Sequence, residues 1–285
     1  MEKNRNIALV LAYDGTRYAG WQRQEKGPVT IQGKLEAVLT RMYGEPVEII
    51  GAGRTDAMVH AEGQVANFHL KEEDPPEVIR RRMNEYLPSD IRVRMAAEVS
   101  PDFHSRFHAV GKIYEYRISC PEETDVFLRN RVCILPEKLD ADRMQEAADS
   151  LTGTHDYLGY CSLKKMKKSS VRRIDSIQVI TEPICYDGPG LPGISRSDAE
   201  QGERIRIRFQ GNGFLYHMVR ILSGTLIEVG LGEREVRDAS AALLSRDRKD
   251  AGPLAPAQGL TLVRVLYEDC PFGSETQSTT QILNK

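Results

Sequence analysis

With 285 residues, 40% apolar and 28% charged at a formal net charge of −2, the chain has the composition of a globular protein long enough for one large or two ordinary domains. No run approaches the ~18 apolar residues of a membrane span, and the first apolar run, residues 7–13, is cut off by Asp14 before it reaches signal-peptide length; a cytoplasmic protein is expected. The five cysteines (120, 133, 161, 185, 270) are odd in number and contain no Cys-x-x-Cys, so free thiols are expected, with neither a disulfide framework nor a zinc site.

In chain order, alternation predicts a strand over 7–13, and Ile31, Leu35, Val38, Leu39 and Met42 predict a helix from about 30 to 43. Short strands are expected at 47–50 and 64–70, a helix opened by Pro75-Pro76 and running to Tyr86, and a strand over 91–99. This is the β-α-β-β-α-β order of a ferredoxin-like domain, with 101–111 as a crossing segment. The second half repeats a similar order: a strand over 112–119, a helix over 139–151, hairpin strands at 173–181 and 204–210, helices at 215–229 and 233–244, and a last strand at 259–267. Two ferredoxin-like domains, 1–108 and 109–270, are therefore expected. The Pro- and Gly-rich stretch 182–203 reads as a flexible insertion, and 271–285, dominated by Ser, Thr and Gln, as a disordered tail.

Three segments carry chemistry. Asp56 follows a predicted strand end beside Arg54, in Gly51-Ala-Gly-Arg-Thr-Asp-Ala, a placement that suits a catalytic group on a short connection and equally a turn Asp bonding its own backbone. The helix beginning at Leu215 is apolar almost all round, hence buried, and carries one strong cation, Arg220. Unless Arg220 reaches solvent at a helix edge, burial without an acid would cost several kcal/mol by order of magnitude, and Asp56 is a candidate partner. In Lys112-Ile-Tyr114-Glu-Tyr116-Arg-Ile118, alternation puts both tyrosines on one face, for core packing or for stacking on a nucleobase.

Basic clusters at Lys164, Lys165, Lys167 and Lys168, at Arg204, Arg206 and Arg208 along one strand face, at Arg80–Arg82, and at Arg246, Arg248 and Lys249 are candidate polyanion contacts, to be weighed against solvated faces. Gly27–Leu35 lacks the spacing and the hydroxyl of a phosphate loop. Gly51-Ala-Gly53 lacks a dinucleotide fingerprint. No histidine pair has convincing metal spacing, so no metal is expected. A glycosidase would ordinarily need a second carboxylate beside Asp56.

Together these segments resemble the tRNA pseudouridine synthase A family. The likeness runs over residues 7–268 through Tyr13-Asp-Gly-Thr-Arg-Tyr18-Ala-Gly20-Trp21-Gln-Arg-Gln24, Gly53-Arg-Thr-Asp56-Ala, Lys112-Ile-Tyr114-Glu-Tyr, His217-Met-Val-Arg220 and Gln258-Gly-Leu260-Thr-Leu. The resemblance implies an α+β, pseudouridine-synthase-like fold, two ferredoxin-like halves forming a mixed, mostly antiparallel central sheet with helices packed on one side. It implies a cofactor-free isomerase acting on uridines 38, 39 and 40 of the tRNA anticodon stem-loop, and a homodimer. Asp56 would be the carboxylate, acting as nucleophile at C1′ or by letting a glycal form; Arg220 and Arg54 would offer it opposite charge. Tyr114 would stack on the extruded uracil, Arg54 hold the flipped state, Leu260 line the pocket, and Trp21 pack beneath it. Lys164, Lys165, Arg204 and Arg206 would contact RNA. A catalytically weak or silent RNA-binding paralogue, or an enzyme with a different RNA substrate, is the alternative. The family's motif ordinarily continues with Gly where Met58 stands; the expectation here is a negative φ with the side chain pointing outward.

Overall fold

A computed structural model describes residues 4–25, 27–120, 126–163, 169–183 and 203–272. Its elements in chain order are β1 (Arg5–Tyr13), α1 (Ile31–Tyr43), β2 (Ile50–Gly51), β3 (His60–Leu70), α2 (Pro76–Tyr86), β4 (Ile91–Val99), β5 (Ala109–Cys120), β6 (Cys133–Ile134), α3 (Ala141–Ser150), β7 (Gly153–Asp156), β8 (Val171–Pro183), β9 (Glu203–Gly211), α4 (Met218–Gly230), α5 (Ala241–Ser245) and β10 (Leu260–Tyr267). The fold is α+β. It divides into two compact units, one reaching to Ile113 and resuming at Thr261, the other spanning Tyr114–Leu260. The sequence places the boundary at 108/109 and the last strand with the second half; in the structure that strand, from Thr261 onward, belongs with the first unit.

The first unit follows the expected β-α-β-β-α-β order. Its strands lie in the order β4-β1-β3, with β2 also on β3. β1 is antiparallel to both neighbours, Tyr13 standing opposite Ala61 on one side and Ile91 on the other. β10 adds a parallel pairing, Thr261 to His60 and Leu262 to Ala61, so the sheet is mixed and mostly antiparallel. Thr30 caps α1 by accepting the Gly33 N–H. Buried Asn67 donates to Asn6 Oδ1 at 3.0 Å and accepts the Ser105 N–H at 2.9 Å, fastening the segment after β4 to the sheet. Two expectations shift. The strand predicted at 47–50 is reduced to Ile50–Gly51, and β3 starts at His60, because His60 and Ala61 find strand partners in β1 and β10 that alternation cannot reveal.

In the second unit β5, β9, β8 and β7 are neighbours in that order, with β6 parallel to β5. β8 and β9 form the predicted hairpin. α4 is buried on nearly every side, as its composition requires, and begins at Met218; His217 caps it in the left-handed region at φ 64°. The helix expected at 233–244 is instead a 3-10 turn at Val236–Asp238 followed by the short α5. Ala239 and Ala242 are buried there but Leu244 is 86% exposed, so the stretch lacks an apolar stripe long enough to dock a full helix. Cys120 and Cys133 are buried free thiols; Cys161 is also buried and Cys270 exposed. Among the described residues no helix is long and apolar enough to cross a membrane. Residues 184–202, most of the predicted insertion, and 273–285, most of the predicted tail, lie outside the described residues.

Candidate active site

Asp56 and Arg54 lie on the connection from β2 to β3, in the first unit. The segment after β1 holds this loop by its backbone. Trp21 N–H donates to the Thr55 carbonyl at 3.0 Å, and Met58 N–H donates to the Tyr18 carbonyl at 3.2 Å. Gly15 N–H donates to His60 Nδ1 at 3.1 Å. Gly20 makes the approach possible. It sits at φ 91°, and a Cβ there would fall 2.6 Å from the Thr55 carbonyl oxygen, so both its conformation and its neighbours exclude a side chain. Val59 N–H closes a turn on the Asp56 carbonyl at 3.2 Å.

Side chains complete the frame from below. The Tyr13 hydroxyl and Thr55 Oγ1 are 2.8 Å apart; burial, the largest influence, pushes the Tyr13 phenol well up, against hydrogen bonds to Thr55 and Gln64, so it stays a neutral hydrogen-bonding group. Buried Gln64 donates to the Gly53 carbonyl at 2.8 Å. The Lys112 ammonium occupies the space beside Gly53, 2.6 Å from where a Cβ would stand. Trp21 is buried against Gly51, the structural role expected of it. Arg54 is exposed and donates from Nε to Gln22 Oε1 at 3.0 Å. Tyr13 and Gly20 stand in the N-terminal signature, yet their service to the Asp56 loop was not foreseen from sequence; Gln64, buried in β3, left no signal at all.

Met58 differs from expectation in one respect. Its side chain is 41% exposed and points outward, but its φ is 65°. The loop holds Met58 in the left-handed region because its N–H is committed to Tyr18 while the next residue turns back onto Asp56. For a residue with a Cβ this costs roughly 1–2 kcal/mol.

Arg220, Tyr114 and Leu260 lie in the second unit. Arg220, partly buried on α4, donates from Nε to the Ala255 carbonyl at 2.9 Å, and its own carbonyl accepts the Ala255 N–H at 3.3 Å. Gly224 allows this grip: a Cβ there would meet the Pro253 carbonyl oxygen at 2.0 Å, so the 253–255 segment lies directly on the helix backbone. Tyr114 is 8% exposed and meets Phe214 edge-on, centroids 5.4 Å apart, a brace that sequence reasoning missed. Tyr116, by contrast, is fully buried and donates to the Pro256 carbonyl at 2.9 Å. Leu260 is buried where β10 begins.

The basic strand face is not the open patch its sequence suggests. Arg204, Arg206 and Arg208 do share one half-buried face of β9, but Glu115, 2% exposed on β5, lies among them. Its carboxylate is 2.7 Å from Arg208, 3.3 Å from Arg206 and 3.0 Å from Arg117, and Arg206 also pairs with Glu182. Burial would raise the Glu115 carboxyl, but the hydrogen bonds and charges of Arg208 and Arg117 outweigh it and hold the group below its ordinary range. Arg206 is thus engaged in an internal ion network, whereas Arg204 makes no ion pair among the described residues. Lys164 and Lys165 lie outside the described residues.

The family model described as tRNA pseudouridine synthase matches residues 9–108 and 147–268, and the chain belongs to that family. It is 43% identical over 262 residues to tRNA pseudouridine synthase A of Bacillus sp. strain KSM-64, covering 92% of this chain and 99% of that one. It is 42% identical over 266 residues to the protein of the same name from Geobacillus kaustophilus, covering 93% and 95%. With the Acetivibrio thermocellus tRNA pseudouridine synthase A the identity is 40% over 263 residues, covering 92% and 100%.

Proposed function

We propose that this protein isomerises uridine to pseudouridine in the anticodon stem-loop of tRNA, at positions 38, 39 and 40, with Asp56 as its catalytic carboxylate. The observation that carries the reading is the Asp56 loop, fastened through Thr55, Met58 and His60 to the segment around Gly20, in a chain of this family. Such bracing supplies the fixed orientation that an attack at a sugar carbon needs.

The reaction breaks the N1–C1′ bond, turns the uracil and joins C5 to C1′; the C5 proton leaves to solvent and N1 takes one up, so the product is an isomer and no electrons are gained or lost. Asp56 acts at the sugar, as nucleophile at C1′ or as the base that takes the C2′ proton so that a glycal forms. Arg220, held by Ala255, is its counter-charge. Tyr114, braced by Phe214, stacks on the extruded base and assists loss of the C5 proton, Leu260 lines the pocket, and Arg54, exposed on the same loop as Asp56, holds the flipped nucleotide. Lys164, Lys165 and Arg204 contact phosphates, and Arg206 organises the Glu115 network. The working form is a cytoplasmic homodimer.

The test is tritium release from tRNA labelled at uridine C5, with the wild type and Asp56→Asn side by side. The variant should melt within a few degrees of the wild type, bind tRNA as well and release no tritium. Turnover near the wild-type rate would remove Asp56 from the chemistry. A folded wild type that binds tRNA without turnover would favour the silent RNA-binding alternative.

A further inference from the structure

The cluster Arg80–Arg82 is not absorbed by the site above, and the fold gives it company. α2 and β4 enclose an open groove of about 690 Å³ lined by Glu77, Arg80, Arg81, Asn84, Arg92 and Arg94, with Val78, Glu85 and Val93 completing it. Along β4 the side chains alternate, Ile91 and Val93 buried, Arg92 and Arg94 exposed, so both arginines project the same way about 6.8 Å apart. Four arginines thus face two glutamates, and one of those, Glu77, is already paired with Arg80 at 2.9 Å. Among the described residues Arg81, Arg92 and Arg94 make no ion pair.

Two further observations decide what such a groove suits. β4 is an edge strand, and an exposed edge would invite a peptide strand. Here Asn84 occupies it at Val93, in the groove: its amide donates to the Val93 carbonyl at 2.8 Å and accepts the Val93 N–H at 2.9 Å. With those backbone groups satisfied, what remains is a row of guanidinium groups, the chemistry that recognises phosphate. The groove also opens at the same end of the first unit's sheet as the Asp56 loop. Tyr13 stands opposite Ile91 at the start of β4 and Ala61 near the start of β3, so those two strand ends, which lead from the groove and from the Asp56 loop, lie two strand spacings apart, about 10 Å. Asp90, just before β4, binds Arg17 at 2.5 Å and the Tyr18 hydroxyl at 2.6 Å, and Tyr18 in turn holds Met58.

We infer that the α2–β4 groove is a phosphate-backbone site for the RNA whose uridine reaches Asp56. This rests on the proposed function and adds to it a contact surface within the first unit. Arg81, Arg92 and Arg94 each face one phosphate, and their contribution is electrostatic and indifferent to sequence.

The experiment compares wild type, the triple variant Arg81→Gln/Arg92→Gln/Arg94→Gln and the corresponding triple lysine variant, measuring tRNA affinity from 50 to 200 mM salt together with kcat and KM. The glutamine triple should raise KM about tenfold or more, leave kcat within twofold and flatten the slope of log K against log[salt] by about 2–3, as loss of three phosphate contacts requires; the lysine triple should recover the slope. An unchanged slope and KM in the glutamine triple overturns the proposal and leaves the groove to solvent or an acidic protein. If the triple lowers the melting temperature, single Arg92→Gln and Arg94→Gln variants, each expected to change the slope by about 1, make the same decision. A wild type that binds tRNA but forms no pseudouridine would defeat the functional reading and not the groove, which the salt slope judges independently.

Discussion

Around Asp56 the chain uses backbone hydrogen bonds and a glycine; around Glu115 it uses guanidinium groups. The Asp56 loop is fastened by N–H donors from Trp21, Met58 and Gly15, while Asp56 itself stays partly exposed. Glu115 is buried, and Arg117, Arg206 and Arg208 converge on it. Backbone bonds hold the Asp56 loop without drawing on side-chain charge, whereas the ion pairs around Glu115 hold it by its own charge. The contrast also shows why a row of arginines in a sequence is weak support for a polyanion site: a single acid on the neighbouring strand engages two of its three guanidinium groups.

The contrast breaks most sharply at Gly20. Gly20→Ala places a Cβ against the Thr55 carbonyl in a left-handed backbone, which should lower stability by about 3–4 kcal/mol and slow turnover at least ~100-fold through misplacement of Asp56. Denaturant melts and single-turnover rates check it; a fully active variant would mean that the brace does not position the acid.

Glu115→Gln should do the reverse, harming stability and sparing chemistry. Leaving the arginines around residue 115 without their carboxylate should cost about 2–3 kcal/mol, with kcat within a few-fold of wild type. A collapse of kcat at unchanged stability would make Glu115 part of the active site.

The same pair of proteins gives a pH signature. Because the folded state holds the Glu115 carboxyl below its ordinary value of 4.5, its contribution is complete above that value and fades as pH falls through the lower folded one. The stability gap between wild type and Glu115→Gln should therefore be widest near neutrality and close in acid, as urea melts at stepped pH would show. A gap constant down to pH ~3 would contradict the coupling.

The smallest effect is expected at Met58. Replacing it with Gly relieves left-handed strain of roughly 1–2 kcal/mol and loosens the unfolded chain by roughly 0.4–1 kcal/mol, a net gain of about 0.5–1 kcal/mol. The melting temperature should rise by about 2 °C with turnover within a few-fold. A lower melting temperature would show that the Met58 side chain contributes packing greater than its strain.

The sequence by itself determined what depends on local spacing. The strand-helix order of the first unit, α1, the β8–β9 hairpin, the all-round burial of α4 and the motifs that place the chain in its family were all legible, since periodicity of 2.0 or 3.6 and turn chemistry act over a few residues. Tertiary structure decided what depends on partners far along the chain. Glu115 meets Arg208 across a separation of 93 residues, β10 joins β3, and Met58 takes its φ from a bond to Tyr18. A segment carries its own propensity, but which acid neutralises an arginine, which strand completes a sheet and which backbone angle a loop adopts are settled only when the chain has closed on itself, because buried polar groups must find their partners there.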